Sequence, residues 1–173
     1  ELGSGMHPHP GYLHLDVIAD APSLDLLHDL SAPLPFVSGT VQEILANHVI
    51  EHLSWRIVPD FIRELHRVLR PGGRVLLRTP NLRFVAEHYV QGLTTPEHPD
   101  DEAFIRSRFG AVTPALWAML KLFSGQDYPS NFHFACWDPE GLAAAFRAAG
   151  FAETSTAPFG REFSPGEIQL TAV

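Results

Sequence analysis

The sequence is poor in cysteine, in basic residues and in long apolar runs. Its 173 residues include one cysteine, Cys136, so an internal disulfide is excluded and a reducing, cytoplasmic location is expected. Lys and Arg total 12 against 20 Asp and Glu, and this net charge of -8 argues against a nucleic-acid partner. The longest apolar stretch, residues 111–123, is interrupted by Lys121 and falls short of the roughly 20 residues of a membrane span.

What is present indicates one globular domain. A hydrophobic content of 45% with 18% charged residues is enough to bury one substantial core, so we expect a single domain over residues 1–173.

The chain opens with a glycine turn, Gly3-Ser4-Gly5, and an apolar run follows that ends at Asp16. Glycines let a backbone approach a ligand closely, and a carboxylate at a strand end can accept hydrogen bonds from two ribose hydroxyls. Glu1 stands where it could face an ammonium group. S-adenosylmethionine is a ligand that carries both an ammonium group and a ribose.

Strand and helix patterns alternate along the chain, as in a mostly parallel sheet flanked by helices. Strands are predicted at 12–17, 23–28, 43–47, 74–79, 151–157 and 167–172, and helices at 59–70 and 139–149. Between them, residues 82–137 are too long for a simple connection and predict a helical lid over the site, with helices at 84–91, 100–109 and 114–123.

Several motifs together resemble the class I S-adenosylmethionine-dependent methyltransferases, in particular the small bacterial type 11 branch. They are the opening glycine turn, the strand ending at Asp16, Asp29-Leu30, the segment Asn47-His48-Val49-Ile50-Glu51-His52 and the run 64–73 that ends in Pro-Gly-Gly. The resemblance implies a Rossmann-like α/β fold with S-adenosylmethionine as cofactor and S-adenosylhomocysteine as product.

The resemblance also implies roles for individual residues. The turn from Gly3 to Gly5 would hold the methionine part, Asp16 the ribose, and Asp29 with Leu30 the adenine. Asn47 and His48 would lie beside the methionine end of the cofactor. The carboxylate of Asp29 could accept a hydrogen bond from the adenine amine. An aspartate before Ser-Ala-Pro is, however, also common in turns.

Two features depart from the pattern of this family. Glu1 begins the chain where the first, central strand should end, so we expect preceding residues in the natural protein or another occupant of that position. The helix that usually follows the glycine turn is replaced by the His-Pro-His-Pro segment at 7–10.

The expected reaction is methyl transfer to an oxygen or nitrogen of a small-molecule, glycan or lipid-linked acceptor. Alignment of the nucleophile is the main requirement, and His48 or His133 would serve as a base where the acceptor needs one. The apolar helix at 114–123 predicts packing inside the domain or, alternatively, a pocket wall or homodimer surface. An alternative to an active enzyme is a catalytically silent module of the same fold that binds the cofactor or a partner.

A second alternative comes from His48-x-x-Glu51-His52, the inverted zinc-protease signature. On a helix, His48 and His52 would share a face and could bind zinc, with His88, His98 or His133 as a third ligand. That hydrolase would leave the glycine turn and Asp16 unexplained, so we expect no resident metal.

Overall fold

The computed structural model describes residues 1–94, 99–158 and 166–173. Its strands are β1 (Leu15–Asp16), β2 (Leu26–Leu27), β3 (Val41–Asn47), β4 (Leu69–Pro80), β5 (Thr154–Pro158) and β6 (Glu167–Ala172). Its helices are α1 (Val58–Val68), α2 (Leu82–Val90), α3 (Pro99–Phe109), α4 (Pro114–Phe123) and α5 (Pro139–Ala148). Single 3₁₀ turns lie at Ile50–His52 and Pro129–Asn131.

The strands form a Rossmann-like sheet with parallel and antiparallel parts. β1 pairs with β2 and β3 pairs with β4 in parallel, whereas β6 pairs antiparallel with both β4 and β5. Leu2 bridges the two parallel pairs, since it lies beside Leu15 on one side and Ala46 on the other. The carboxyl ends of β1 and β3 therefore meet the glycine turn at one edge of the sheet.

The main core lies between this sheet and two amphipathic helices. α1 buries Phe61, Ile62 and Leu65, and α5 buries Leu142 and Phe146. Both helices begin as the sequence predicts: Pro59 lies in the first turn of α1, and the side chain of the α5 N-cap, Asp138, accepts a hydrogen bond from Gly141 N at 2.7 Å.

The predicted lid forms its own small core. α2, α3 and α4 pack around Val85, Ile105 and Trp117, apart from the main cluster. The apolar face of α4 thus packs within the lid itself, and it leaves Met119 and Phe123 largely exposed. Among the described residues no helix is both long enough and apolar enough to cross a bilayer.

A cavity of about 690 Å³ lies beside β3, on the side away from β4. Tyr12, Leu13, Val41, Glu43 and Ile44 are among the residues that line it. Leu2 enters this space next to Ala46, and its N–H donates to Leu45 O at 2.9 Å. The expectation that further residues complete a central strand here stays a prediction.

Candidate cofactor-binding site

A pocket of about 300 Å³ lies at the carboxyl ends of the parallel strands. Such an edge is where Rossmann-like domains bind their ligands. The pocket brings together residues that are far apart in sequence: Gly3, Gly5, Asp16, Val17, Ile18, His28, Asp29, Leu30, His48, Val49, His52, Leu53, Tyr128, Ser130 and Asn131. Most of the predicted cofactor residues are among them.

The glycine turn and Asp16 form one hydrogen-bonded unit. Asp16 is 6% exposed, and its two oxygens accept from Gly5 N at 2.7 Å and from Ile18 N at 2.9 Å. Gly3 and Gly5 have φ values of 60° and 54°, in the left-handed region. A Cβ on Gly3 would also lie 2.7 Å from Val49 Cγ2. Because a carboxylate oxygen has two lone pairs, Asp16 keeps acceptor capacity toward the pocket.

Asp29 makes a turn and also lines the pocket. Its Oδ1 accepts from Ser31 N at 2.8 Å, which makes the expected turn. This backbone hydrogen bond lowers the pKa of Asp29, so the side chain is a carboxylate at neutral pH. Asp29 and the half-buried Leu30 both line the pocket, and the turn therefore presents an acceptor beside an apolar surface.

Buried polar atoms around the pocket fit a polar ligand. Ser4 Oγ, His28 Nε2 and Asn47 Oδ1 have no hydrogen-bond partner within the part of the chain that the structure describes. His28 lines the pocket, whereas Ser4 and Asn47 are sequence neighbours of the lining residues Gly3, Gly5 and His48. Buried polar groups in proteins normally find a partner, so these atoms suit a polar ligand such as the methionine and nucleoside parts of the cofactor.

Glu1 does not line this pocket. Its carboxylate accepts from His9 N at 2.8 Å and lies 2.7 Å from His9 Nδ1, on the side of the cavity beside β3. The role expected for Glu1 against the cofactor's ammonium group gains no support from this position.

His48 is held between two carboxylates. Its Nδ1 lies 3.0 Å from Glu51 Oε1 and its Nε2 lies 3.0 Å from Glu167 Oε1. Although burial lowers the pKa of His48, the hydrogen bonds to Glu167 and Glu51 outweigh it and raise the pKa to about 10. Since both ring nitrogens donate, this geometry argues against His48 as a general base.

Glu51 fastens the lid to the sheet. Its side chain is 1% exposed, and Oε2 accepts from Thr79 Oγ1 at 3.0 Å. Its main-chain oxygen accepts from Phe134 N at 2.7 Å and from Ala135 N at 3.2 Å. The last part of the predicted lid, at residues 134–135, is thereby held against the turn that follows β3.

The zinc-protease alternative is wrong in its geometry. Residues 50–52 form a single 3₁₀ turn, and His48 lies before it with φ 52°. His48 and His52 therefore do not share a face of an α-helix. His88 packs against Phe84 and Trp117 in the lid, and His98 lies outside the described residues.

His133, in contrast, lies next to His52. The two ring centroids are 4.8 Å apart in an edge-on arrangement. Burial lowers the pKa of His133. One ligand atom from each of Glu51, His52 and His133 lies within 4.8 Å of the other two, so these residues form a candidate metal-binding cluster.

Sequence reasoning missed part of the pocket wall. Ser130 and Asn131 reach the pocket from the second 3₁₀ turn, together with Tyr128 just before it. Their signal was a Pro-Ser-Asn turn two residues before His133, in a stretch that the sequence analysis did not resolve.

The sheet and the pocket at its strand ends define a Rossmann-like domain, with the pocket where such domains bind their ligands. A family profile described as "Methyltransferase domain" matches residues 20–156, and the chain belongs to that family. A protein of Mycolicibacterium smegmatis named "Probable S-adenosylmethionine-dependent methyltransferase" is 43% identical over 65 residues, which are 38% of this chain and 24% of that protein.

Solved structures share the fold at low sequence identity. The PH0226 protein of Pyrococcus horikoshii OT3 aligns with a TM-score of 0.60 and 15% identity, over 99% of this chain and 78% of that one. The CMeT domain of the citrinin polyketide synthase aligns with a TM-score of 0.59 and 13% identity, over 99% of this chain and 45% of that one. The chain thus has the class I methyltransferase fold, and S-adenosylmethionine is the cofactor of its family.

Proposed function

We propose that this domain transfers the methyl group of S-adenosylmethionine to an oxygen or nitrogen atom of a small-molecule, glycan or lipid-linked acceptor. The observation that carries the proposal is the hydrogen-bonded unit of Asp16 and the glycine turn, which opens into the pocket at the strand ends. Family membership supports the reaction class.

On the cofactor side, groups of this domain bind the cofactor and orient it. Asp16 accepts hydrogen bonds from the ribose hydroxyls while Gly5 N and Ile18 N hold its carboxylate in place. Asp29 and Leu30 bind the adenine. Ser4 and Asn47 supply the unpaired polar atoms nearest the glycine turn and the end of β3, and we assign them to the methionine part.

When bound, the cofactor supplies an activated methyl group, so the protein has little covalent chemistry to perform. The acceptor's oxygen or nitrogen forms a bond to the methyl carbon as the carbon–sulfur bond breaks, and the acceptor proton leaves to a nearby group or to water. The lid excludes water from this step, since Tyr128, Ser130 and Asn131 cover one side of the pocket.

On the acceptor side we place His133 and not His48. His48 is engaged at both nitrogens by Glu51 and Glu167. His133 contacts the ring of His52, which lines the pocket. A neighbour of the same fold, the 1,6-didemethyltoxoflavin-N1-methyltransferase of Burkholderia thailandensis, was solved with 1,6-didemethyltoxoflavin and S-adenosylhomocysteine bound, which supports a small-molecule acceptor here.

A transfer assay with methyl-labelled S-adenosylmethionine tests the reaction. We expect label to appear in at least one member of a panel of hydroxyl, amine, glycan and lipid-linked acceptors, and to be lost in Asp16→Ala. Saturable binding of S-adenosylhomocysteine without transfer to any acceptor would favour the catalytically silent module. Absence of binding would contradict the proposal.

Two further expectations belong to the proposal. The single cysteine supports a reducing, cytoplasmic location. The exposed Met119 and Phe123 on α4 support a homodimer, and light scattering of the purified protein would show a mass of one chain if that expectation is wrong.

A further inference from the structure

We propose that Glu51, His52 and His133 bind a divalent metal ion at the edge of the pocket, where it contacts the acceptor. The three residues come from two segments, the 3₁₀ turn after β3 and the last part of the predicted lid, which follows the second 3₁₀ turn. One ligand atom from each lies within 4.8 Å of the other two. The metal site itself stands independently of the proposed function, whereas its role toward the acceptor rests on it.

Both imidazoles are oriented as metal-binding histidines are. His52 Nδ1 lies 3.1 Å from the main-chain oxygen of Phe132, and the His133 ring faces the main chain of Lys121. A ring nitrogen that donates to a carbonyl fixes the tautomer, so the opposite nitrogen carries the lone pair that a metal needs. Such second hydrogen bonds accompany nearly all histidine ligands of metals.

Glu51 supplies the third ligand from a buried position. Thr79 and His48 each engage one of its oxygens, at 3.0 Å in both cases. Each carboxylate oxygen keeps a second lone pair, so these contacts position the group without using it up. The hydrogen bonds from Phe134 N and Ala135 N to Glu51 O fix the spacing between the two segments.

The geometry requires a small contraction. Bonds of about 2.0–2.1 Å to a tetrahedral ion put ligand atoms roughly 3.3 Å apart, so atoms now up to 4.8 Å apart would approach by about 1.5 Å. Because His52 and His133 are only partly buried, we assign this movement to tilting of their rings about the nitrogens that face the main chain.

Two imidazoles and one carboxylate suit zinc or a neighbouring first-row divalent ion. Three protein ligands leave at least one position open, and His52 places it at the pocket. With its lone pair on the metal, His133 would be a ligand and not a base, and an acceptor hydroxyl bound at the open position would ionise more readily and release its proton to water. The resulting oxygen would then bond to the methyl carbon as the carbon–sulfur bond breaks. The site therefore narrows the acceptor to an oxygen nucleophile.

Zinc binding to metal-stripped protein tests the site by isothermal titration. We expect one zinc per chain, with affinity reduced at least about 100-fold in His52→Ala and His133→Ala. His7→Ala is the matched control, because it removes an exposed imidazole outside the cluster and should bind zinc as the wild type does. Equal affinity in His133→Ala and wild type would overturn the proposal.

X-ray absorption of the zinc-loaded wild type needs no variant and covers the case in which a substitution unfolds the chain. Two imidazoles and at least one oxygen around zinc are expected, and a zinc shell without imidazole would overturn the site. S-adenosylhomocysteine affinity, measured on the same preparation, separates the two proposals. Cofactor binding without zinc binding refutes only the metal site, and zinc binding without cofactor binding refutes only the methyltransferase.

Discussion

Replacing Asp16 with asparagine should weaken both the cofactor site and the glycine turn. The carboxylate now accepts from Gly5 N and Ile18 N, and asparagine retains only one acceptor oxygen. Its amide nitrogen must face one of these two N–H donors, and leaving a buried donor unpaired costs about 1–3 kcal/mol of folding stability.

The same substitution removes at least one charge-assisted hydrogen bond to the ribose, which contributes about 1.5–3 kcal/mol. The dissociation constant for S-adenosylhomocysteine should therefore rise about 10- to 100-fold. Isothermal titration measures this change, and urea unfolding measures the stability loss. Asp20→Asn is the control, because Asp20 is exposed, does not line the pocket and undergoes the same charge change. An affinity within twofold of wild type in a folded Asp16→Asn protein would refute the assignment.

Two other substitutions test the scaffold around the site by urea unfolding. Gly3→Ala should lower the free energy of unfolding by about 1–3 kcal/mol, and by more than Gly5→Ala does. Both glycines have positive φ, but only a Cβ on Gly3 meets Val49. Equal losses would contradict this contact. Asp138→Ala should lower the free energy of unfolding by about 1 kcal/mol, because it removes the N-cap hydrogen bond from Gly141 N. Asp138→Asn keeps an acceptor oxygen and should stay close to wild type. An asparagine variant as unstable as the alanine variant would show that the cap contributes little.

Helices were predictable because their own sequence carries the signal. α1 was expected at 59–70 and lies at Val58–Val68, since its apolar stripe and Pro59 determine both its buried face and its start. The strands depend more on partners. A strand was expected at 12–17, yet only Leu15–Asp16 pairs with β2, because strand length is decided by neighbouring backbone and not by the residues alone.

The site likewise contains parts that local sequence predicts and parts that depend on distant residues. Asp16 and the glycine turn lie eleven residues apart and could be joined by inspection, and the structure links them through Gly5 N. His48 was expected to be a base, but its two partners include Glu167 on β6, and no local pattern connects these residues. The pairing of His52 with His133 likewise depends on how the last part of the 82–137 segment folds back on Glu51.

Among the residues that the structure describes, the cavity beside β3 leaves part of one side of this strand without a paired neighbour. Within the described ranges, β3 pairs with β4 along one side from Glu43 to Asn47, with a register shift before Glu43. Along the other side Leu2 meets β3 at Ala46, and an open cavity follows. Amide and carbonyl groups along such a rim are a template for any extended backbone that arrives. An extended segment that reaches this rim would pair with β3 and add a strand to the sheet.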